Sequence, residues 1–209
     1  MRQLVSLIVL FTAFQAPIGH AERWLVLGDS ISAGYGFELE QGWVNLLRER
    51  LKENGEHEVI NASISGETTG GALARLPNLL SQKPADWIII ELGGNDGLRG
   101  YPINSIRDNL NNMIELAQAE GTKVILVSMQ IPPNYGPRYT RQFRAVYDQL
   151  NETHELIQVE IFLETVATDP ELMQSDGIHP KAEAQSELLR NIWPAIETAL
   201  LLPEERAGE

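Results

Sequence analysis

The sequence predicts a three-layer α/β/α sandwich built on about five parallel strands. Five short apolar runs, rich in leucine and β-branched residues, alternate along the chain with longer segments of helical periodicity. The runs scarcely alternate in polarity, which indicates strands buried on both faces, as in a parallel sheet covered by helices. The regular succession of strand and helix further predicts right-handed crossovers within one sheet. The five runs span residues 24–27, 58–62, 87–92, 124–128 and 158–162.

Four helices are predicted from apolar side chains at three- and four-residue spacing. The first ends at Asn54-Gly55, and the second begins near Pro102 and ends at Gly121. The last begins near Pro180, with a bend at Pro194. The apolar faces consist of Trp43, Leu46, Leu47 and Leu51 in the first helix; Ile103, Ile106, Leu110, Met113, Ile114 and Ala117 in the second; Phe143, Val146, Tyr147 and Leu150 in the third; and Leu188, Leu189, Ile192 and Ile196 in the last.

The first 21 residues have the pattern of a secretory signal peptide. Arg2 precedes an apolar run over residues 4–14, and small residues lead to Ala21, after which we expect cleavage. The apolar run is too short to predict a membrane span. Residues 22–209 are expected to form a single domain whose tail frays from about residue 203. The mature protein is expected in the bacterial periplasm or outside the cell.

The composition excludes several classes of partner. The 209 residues include 16 Lys and Arg against 29 Asp and Glu, a net charge of −13 that becomes −14 without Arg2. So acidic a chain lacks the clustered cations that bind nucleic acid, and an anionic membrane would repel most of its surface. The absence of cysteine excludes disulfides, thiolate metal sites and a cysteine nucleophile. We expect a monomer that works without a metal or another cofactor and without stable insertion into a membrane.

Residues suited to nucleophilic catalysis stand near the predicted strand ends. Ser30 follows the first strand, at the carboxyl edge where open parallel sheets bind ligands. Asp176 and His179 are three residues apart across Gly177, so the carboxylate can hold the imidazole in the tautomer that deprotonates a serine. The order serine, aspartate, histidine occurs on other α/β frameworks. The alternative is structural, with Ser30 in an ordinary glycine-rich turn and Asp176 in an Asx-turn that leaves His179 on the surface.

Further candidates are two oxyanion donors and two other histidines. Gly66 and Asn95 follow the second and third strands, where a backbone N–H and a side-chain amide can stabilise a tetrahedral intermediate. His154 shares the apolar face of the third helix and is expected to be packed and hydrogen-bonded. His57 lies in a polar segment and is expected to be exposed.

Four segments together resemble the sequence blocks of the SGNH, or GDSL-type, hydrolases. In chain order they are Gly28-Asp29-Ser30 with Ile31-Ser32-Ala33-Gly34, Asn61-Ala62-Ser63-Ile64-Ser65-Gly66, Gly93-Gly94-Asn95-Asp96 and Asp176-Gly177-Ile178-His179-Pro180. Longer segments over residues 72–77, 91–100 and 133–136 resemble the bacterial periplasmic multifunctional thioesterase/protease/lysophospholipase (arylesterase) subgroup. The resemblance covers essentially the whole mature chain.

The resemblance implies a flavodoxin-like sheet, no metal, and a role for each matched residue. Ser30 is the implied nucleophile, His179 the general base, and Asp176 the acid that orients it. The implied oxyanion hole consists of the Ser30 N–H, the Gly66 N–H and the Asn95 side chain. Asp29 and Asp96 are interpreted as structural supports of their loops.

The resemblance also implies a substrate class of acyl thioesters, aryl esters and lysophospholipids, bound in a shallow apolar groove. The segment over residues 70–77 has a glycine-rich start and an apolar body, and the matching loop of the family moves over the bound acyl chain. The loop over residues 129–136 is the expected far wall, although both segments are also consistent with ordinary connections. Substrate contacts are therefore predicted for Leu73, Leu76, Pro77, Ile131 and Tyr135.

Two alternative functions remain at this point. The first is a carbohydrate O-acetylesterase of the same family, which the apolar segments disfavour. The second is a non-catalytic α/β binding module, which would not need a serine, an aspartate–histidine pair and oxyanion donors together.

Overall fold

A five-stranded parallel sheet in the order β2-β1-β3-β4-β5 forms the middle layer of the protein. The structure is a computed structural model that describes residues 21–202. The predicted signal peptide, apart from Ala21, and the tail from residue 203 lie outside the described residues. The predicted sandwich with about five parallel strands is confirmed. The strands are β1 (Arg23–Gly28), β2 (Glu58–Asn61), β3 (Trp87–Glu91), β4 (Lys123–Val127) and β5 (Ile157–Val159).

Four of the strands lie within one residue of their predicted bounds, and the fifth is shorter than predicted. Instead of continuing to residue 162, β5 ends at Val159. Phe162 is nevertheless buried, because its ring packs edge-on against Trp43 with the centroids 5.5 Å apart. Phe162 is therefore apolar because it packs against α2, not because it belongs to β5.

Helices cover both faces of the sheet. In the described part of the chain they are α1 (Ser30–Ala33), α2 (Trp43–Asn54), α3 (Thr69–Gln82), α4 (Gly94–Leu98), α5 (Ile103–Ala119), α6 (Pro137–His154), α7 (Glu164–Ala167) and α8 (Gln185–Leu201). Packing of α3 on α5 and of α5 on α6 forms one layer, while α2 packs on α8 in the other. None of these helices combines the length and apolar character needed to cross a membrane.

The strand order places a crevice between the carboxyl ends of β1 and β3. From β1 the chain crosses to β2 on one side, and from β2 it returns past β1 to β3 on the other. With right-handed crossovers, the helices of these two connections lie on opposite faces of the sheet. Parallel sheets bind their ligands where this reversal occurs. The segments that follow β1 and β3 are therefore expected to form the ligand-binding site.

Two sequence predictions about the helices are wrong. The segment over residues 70–77, predicted as a loop over the substrate, belongs to α3, whose N-cap Thr68 accepts a hydrogen bond from the Gly71 N–H. The last helix begins at Gln185 rather than near Pro180, because Pro180 forms an antiparallel bridge with Met173. Helix α8 contains Pro194, and the bend predicted there stays a prediction.

Candidate active site

Four segments meet at the carboxyl edge of the sheet. Ser30 begins α1 directly after the turn that follows β1, and Gly66 lies in the loop that follows β2. Asn95 lies in the first turn of α4, after β3. His179 lies in the loop that precedes α8. The structure thus brings the predicted serine and histidine, 149 residues apart, into direct contact.

A continuous line of hydrogen bonds joins the serine, the histidine and the aspartate. The Ser30 Oγ lies 2.8 Å from His179 Nε2. On the other side of the ring, His179 Nδ1 lies 2.7 Å from an oxygen of Asp176. This arrangement fixes the ring orientation and favours the tautomer with its proton on Nδ1, which leaves Nε2 free to accept the serine proton.

Asp176 is held as a carboxylate by its own loop. Its second oxygen accepts hydrogen bonds from the backbone N–H groups of His179, at 3.0 Å, and Ile178, at 2.9 Å. Between them, Gly177 adopts a φ of 67°, a left-handed conformation that glycine takes without strain. The hydrogen bonds from the backbone and side chain of His179, with that from Ile178, lower the pKa of Asp176 to about 2. Asp176 is therefore ionised at neutral pH.

Gln174 and Tyr35, which the sequence analysis did not identify, connect the histidine loop to the nucleophile segment. Gln174 Nε2 donates hydrogen bonds to the carbonyl oxygens of Tyr35, at 2.8 Å, and Pro180, at 3.0 Å. The Tyr35 ring lies against the imidazole of His179, with the two centroids 4.4 Å apart. Tyr35 remains 50% exposed, so it shields one face of the imidazole from the solvent side of the site.

Asp29, next to the serine, is buried and holds two parts of the site together. One carboxylate oxygen accepts a hydrogen bond from the Ile31 N–H at 3.0 Å, which caps α1. The other accepts from Asn95 Nδ2 at 2.9 Å. Burial raises the pKa of Asp29 to about 6, against the opposing effect of these hydrogen bonds. The contacts agree with the structural role expected for Asp29 and give it a second one, because they orient the Asn95 amide.

Glu91 is a fully buried acid beneath the nucleophile turn, and the sequence analysis assigned it no role. Its Oε2 lies 2.6 Å from Ser32 Oγ and accepts from the Asp29 N–H at 3.3 Å. Its Oε1 has no hydrogen-bond partner within residues 21–202. Burial, and then the charge of Asp29, raise the pKa of Glu91 well above its ordinary value. The burial of this side chain therefore favours its protonated form.

The space that Glu91 occupies depends on Gly28 at the end of β1. A Cβ at residue 28 would lie 2.7 Å from Glu91 Oε2 and from Ser32 Oγ, closer than real Cβ contacts permit. Glu91, Gly28 and Ser32 are therefore packed directly against one another. A single acidic residue at the end of an otherwise apolar strand was the available sequence signal for it.

The three predicted oxyanion donors are arranged around the nucleophile turn. In the described part of the chain, the N–H groups of Ser30 and Gly66 have no hydrogen-bond acceptor. Gly66 has a φ of 78°, in the left-handed region. Asn95 donates one amide hydrogen to Asp29, so its second amide hydrogen is left for a ligand.

Two arginines hold the loop that carries Gly66. Arg75, on α3, donates to the Ala62 carbonyl at 2.7 Å and forms an ion pair with Glu67 at 2.7 Å. Arg99, at the end of α4, donates to the Gly66 carbonyl at 3.3 Å. The contacts link the loop after β2 to the two elements on either side of it. Arg75 belongs to the segment predicted to cover the substrate, and it instead supports the loop that carries Gly66.

The remaining acidic and histidine side chains have structural contacts. Asp96 accepts hydrogen bonds from the Thr69 N–H at 2.9 Å and the Thr69 hydroxyl at 2.6 Å, as expected for a loop support. His154 is partly buried and lies 2.8 Å from Asn111 Oδ1, as expected. The expectation for His57 is wrong: its side chain is only 8% exposed, because Nδ1 accepts from the backbone N–H of Glu22.

The predicted substrate contacts divide into three groups. Leu76 is fully buried in the core beneath α3, which contradicts its predicted contact with substrate. Leu73, on the same helix, is partly buried against the core, whereas Pro77 is exposed. Ile131 is buried beside Gly97, and Tyr135 is half-exposed with its hydroxyl donating to the Leu98 carbonyl at 2.7 Å. The contacts predicted for Leu73, Pro77, Ile131 and Tyr135 stay predictions.

The chemistry of these groups suits acyl transfer. They provide a hydroxyl, an oriented base, an ionised acid and N–H donors around a common point, which acyl transfer through a covalent intermediate requires. Among residues 21–202, no cluster of three or more His, Asp or Glu side chains is spaced to hold a metal ion.

Comparison with known proteins identifies close relatives. A sequence model of the GDSL-like lipase/acylhydrolase family matches residues 26–186. The chain is 49% identical to the esterase TesA of Pseudomonas aeruginosa, over 86% of this chain and 90% of that protein. It is 49% identical to an arylesterase of Vibrio mimicus, over 88% and 92% of the two chains. It is 39% identical to thioesterase 1/protease 1/lysophospholipase L1 of Escherichia coli, over 87% and 86%.

Solved structures show the same fold. The crystal structure of TesA superimposes with a TM-score of 0.83 at 49% identity, over 86% of this chain and all of that one. The esterase EstA from Pseudoalteromonas sp., solved as a complex inhibited by monoethylphosphonate, superimposes with a TM-score of 0.81 at 41% identity. It covers 86% of this chain and 98% of its own.

Proposed function

The chain belongs to the GDSL-like lipase/acylhydrolase family, and we propose that it is a secreted serine hydrolase that cleaves acyl esters and thioesters through Ser30, His179 and Asp176. Relatives named esterase, arylesterase and thioesterase support the general activity of an ester hydrolase. The observation that carries the proposed mechanism is the line of hydrogen bonds from Asp176 through His179 to Ser30.

In the acylation step, His179 Nε2 takes the proton of the Ser30 hydroxyl as the oxygen attacks the acyl carbonyl. The carbonyl oxygen becomes an oxyanion and the carbon becomes tetrahedral. Asp176 accepts the Nδ1–H hydrogen bond and stabilises the imidazolium that forms. Collapse of the intermediate breaks the bond to the leaving alcohol or thiol, and His179 returns the proton to that group.

The oxyanion is stabilised by the Ser30 and Gly66 N–H groups and by the second amide hydrogen of Asn95. Asp29 keeps the Asn95 amide turned with its NH₂ group toward the site, because only that orientation donates to a carboxylate. Each such donor typically contributes about 2.7 to 4 kcal/mol of transition-state stabilisation. Water then attacks the acyl-enzyme by the same steps, and the free acid leaves.

The substrate class follows from the surroundings of the serine. Tyr35, Ile64 and Ile178 are large apolar side chains on the segments that form the site, and each is about half exposed. Such side chains offer apolar contact area to a hydrocarbon chain. We therefore expect acyl chains longer than acetyl to be preferred, with thioesters, aryl esters and lysophospholipids as substrates.

The test is a series of p-nitrophenyl esters and acyl thioesters, from acetyl to palmitoyl, with the mature protein. Ser30→Ala is expected to reduce hydrolysis to background. The matched control is Ser128→Ala, because Ser128 is also a buried serine just past a strand but contacts Gln158 rather than a histidine. A phosphonate inhibitor should add its mass to the peptide that contains Ser30. Equal activity in the two variants would contradict the proposal, and a preference for acetylated sugars would assign the carbohydrate esterase activity instead.

Secretion is tested separately from activity. Expression of the full chain in a bacterium should place the protein in the periplasmic fraction with Glu22 as its first residue. Retention of an intact amino terminus in the cytoplasm would contradict the secreted location without affecting the hydrolase assignment.

A further inference from the structure

Charge is strongly segregated along this acidic chain. Residues 97–107 and 129–147 include five arginines and no aspartate or glutamate, while the whole chain has 29 acids and a net charge of −13. Both segments follow strands of the sheet, β3 and β4, at the carboxyl edge where the site lies. The acidic net charge therefore conceals a basic region at the same edge of the sheet as Ser30.

The two acid-free segments lie against each other. The Tyr135 hydroxyl donates to the Leu98 carbonyl at 2.7 Å, and the Tyr139 hydroxyl donates to the Tyr101 carbonyl at 2.7 Å. Arg99 is therefore close to the first turn of α6, which carries Arg138. The two segments therefore form one continuous surface, which these two tyrosine hydrogen bonds hold together.

The arginines on this surface differ in whether their side chains are paired with an acidic residue. Within residues 21–202, Arg138 and Arg141 are exposed and form neither an ion pair nor a side-chain hydrogen bond. Arg107 is paired with Asp108, and Arg144 lies one helical turn from Asp148. On the side of β5, the surface ends at Glu164, which accepts a hydrogen bond from Gln130.

The position of the free arginines does not favour the stability of α6. Arg138 is in the first turn, where the helix dipole repels cations, and this turn has no acidic residue. Arg138 and Arg141 are three residues apart, a spacing at which like charges repel. Because the fold gains nothing from these charges, a role in binding is the better explanation.

We propose that the arginine–tyrosine face, defined as Arg99, Arg138, Arg141, Tyr101 and Tyr135, docks on the headgroups of an anionic phospholipid surface. Its role in bringing the site to lipid substrates rests on the proposed function. Tyr101 is 41% and Tyr135 36% exposed, and half-exposed tyrosine beside arginine is typical of side chains at a membrane interface.

The size of the face favours lipid headgroups over a protein partner. A stable protein interface needs about 20 to 30 residues on each side, whereas anionic headgroups bind cations one at a time. The net negative charge of the chain opposes docking only over short distances, because at physiological salt the screening length is about 8 Å. Acids that lie farther than this from the arginines are therefore screened from the lipid headgroups.

The binding test uses the mature protein and vesicles of phosphatidylglycerol or phosphatidylcholine in a sedimentation assay. We expect binding to phosphatidylglycerol that weakens as salt is raised, and none to phosphatidylcholine. The Arg138→Gln/Arg141→Gln double variant should bind roughly tenfold more weakly or worse. The control is Lys52→Gln/Lys83→Gln, which removes the same charge from exposed residues at the opposite edge of the sheet and should bind like the unmodified protein.

A second measurement separates this inference from the hydrolase assignment. Arg138 and Arg141 touch no group of the site, so the double variant should hydrolyse a soluble short-chain p-nitrophenyl ester at the unmodified rate. It should be slower on lysophospholipid presented in phosphatidylglycerol vesicles. Absence of ester hydrolysis by the unmodified protein would overturn the proposed function but leave the vesicle result to decide docking.

Three outcomes would overturn the docking proposal. They are failure of the unmodified protein to bind phosphatidylglycerol vesicles, equal binding to phosphatidylcholine, and unchanged binding of the double variant. A different outcome is that the double variant binds vesicles normally but hydrolyses more slowly an acyl group that is attached to an acidic protein. The arginine–tyrosine face would then be a binding site for acidic proteins, and the docking proposal would be wrong.

Discussion

Ser30 and Asn95 are positioned by buried contacts between strand ends, whereas His179 is positioned by an exposed loop. Glu91 and Ser32 are 59 residues apart in sequence, and Asn95 and Asp29 are 66 apart, yet each pair is hydrogen-bonded beneath the surface. Asp176 and His179 are only three residues apart. The nucleophile half of the site, defined as Ser30 and Asn95 with the buried acids that hold them, is therefore continuous with the core. The base half, defined as the loop over residues 174–180, is held mainly by contacts within the loop itself.

We therefore expect substitutions in the base half to change activity without changing stability, and substitutions in the nucleophile half to change both. Substitutions in the loop over residues 174–180 should affect the reaction while leaving the fold intact. Substitutions among the buried acids should affect both.

Asp176→Asn should have the largest effect on kcat and should cost little stability, because solvent screens the contribution of this exposed carboxylate to stability. The amide introduced at residue 176 has no negative charge to stabilise the imidazolium of His179. It also favours the tautomer with the proton on Nε2, which cannot accept the serine proton. The expected loss in kcat is on the order of 10⁴-fold, about 5.5 kcal/mol, by analogy with the serine protease triad. Because the Asp176 side chain is 39% exposed, the thermal midpoint should stay within a degree or two. A large fall in that midpoint would show that the loop is not independent of the core.

Asn95→Ala should lower kcat by about 10²- to 10³-fold, or about 2.7 to 4 kcal/mol, through loss of one oxyanion donor. KM should change little, because the donor acts on charge that develops in the transition state. The substitution also leaves one oxygen of the buried Asp29 without its partner, so the protein should be less stable as well. Steady-state kinetics together with thermal unfolding measure both effects. Reduced activity with an unchanged unfolding midpoint would contradict the coupling proposed for this half.

Glu91→Ala should destabilise the protein by about 2 to 4 kcal/mol. It leaves the Asp29 N–H and the Ser32 hydroxyl without an acceptor in the interior and opens a cavity. Glu91→Gln is the matched control, because it keeps the shape of the neutral acid. It should retain most of the stability and activity at pH 7 to 8. Denaturant unfolding compares the two variants, and equal destabilisation by both would show that Glu91 is ionised in the folded protein.

The sequence predicted the members of the site better than their supports. Ser30, Gly66 and Asn95 follow runs whose unbroken apolar character predicts strands, and parallel strands bring their carboxyl ends to one edge. Asp176 and His179 are close in sequence, so a tight turn was enough to relate them.

Supports that arise only from tertiary packing were not predicted. The Tyr35 ring meets His179 across more than 140 residues. The pKa of Glu91 is raised because strands and helices bury its side chain. The glycine-rich start of the segment over residues 70–77, together with its match to a mobile loop of the family, predicts a loop. The burial of Leu76 and its neighbours one turn away, Ala72 and Leu80, outweighed those signals and made it helical.

The buried Asp29 should make stability depend on pH. Its pKa in the folded protein is about 6, above the ordinary 3.8, so the folded state binds the proton more tightly. Stability is then lost as pH rises from about 4 to about 6, by up to about 3 kcal/mol at higher pH. Asp29→Asn should remove this pH dependence and also lower kcat, because its amide cannot accept from Asn95 with the same charge. Urea unfolding from pH 4 to 8 measures the difference, and parallel pH profiles would contradict the assignment.

Gln174→Ala should have the smallest effect, because it removes a tether rather than a group that touches the reacting atoms. The side chain joins the carbonyl oxygens of Tyr35 and Pro180, and it reaches them past Gly36, where a Cβ would lie 2.5 Å from Gln174. Loss of a typical hydrogen bond contributes about 1 kcal/mol, so kcat should fall roughly fivefold with an unchanged unfolding midpoint. Gln118→Ala, an exposed glutamine on α5, is the control and should change neither. A loss beyond a hundredfold would mean that the base half depends on the nucleophile half through this tether, and the two halves would then form one unit.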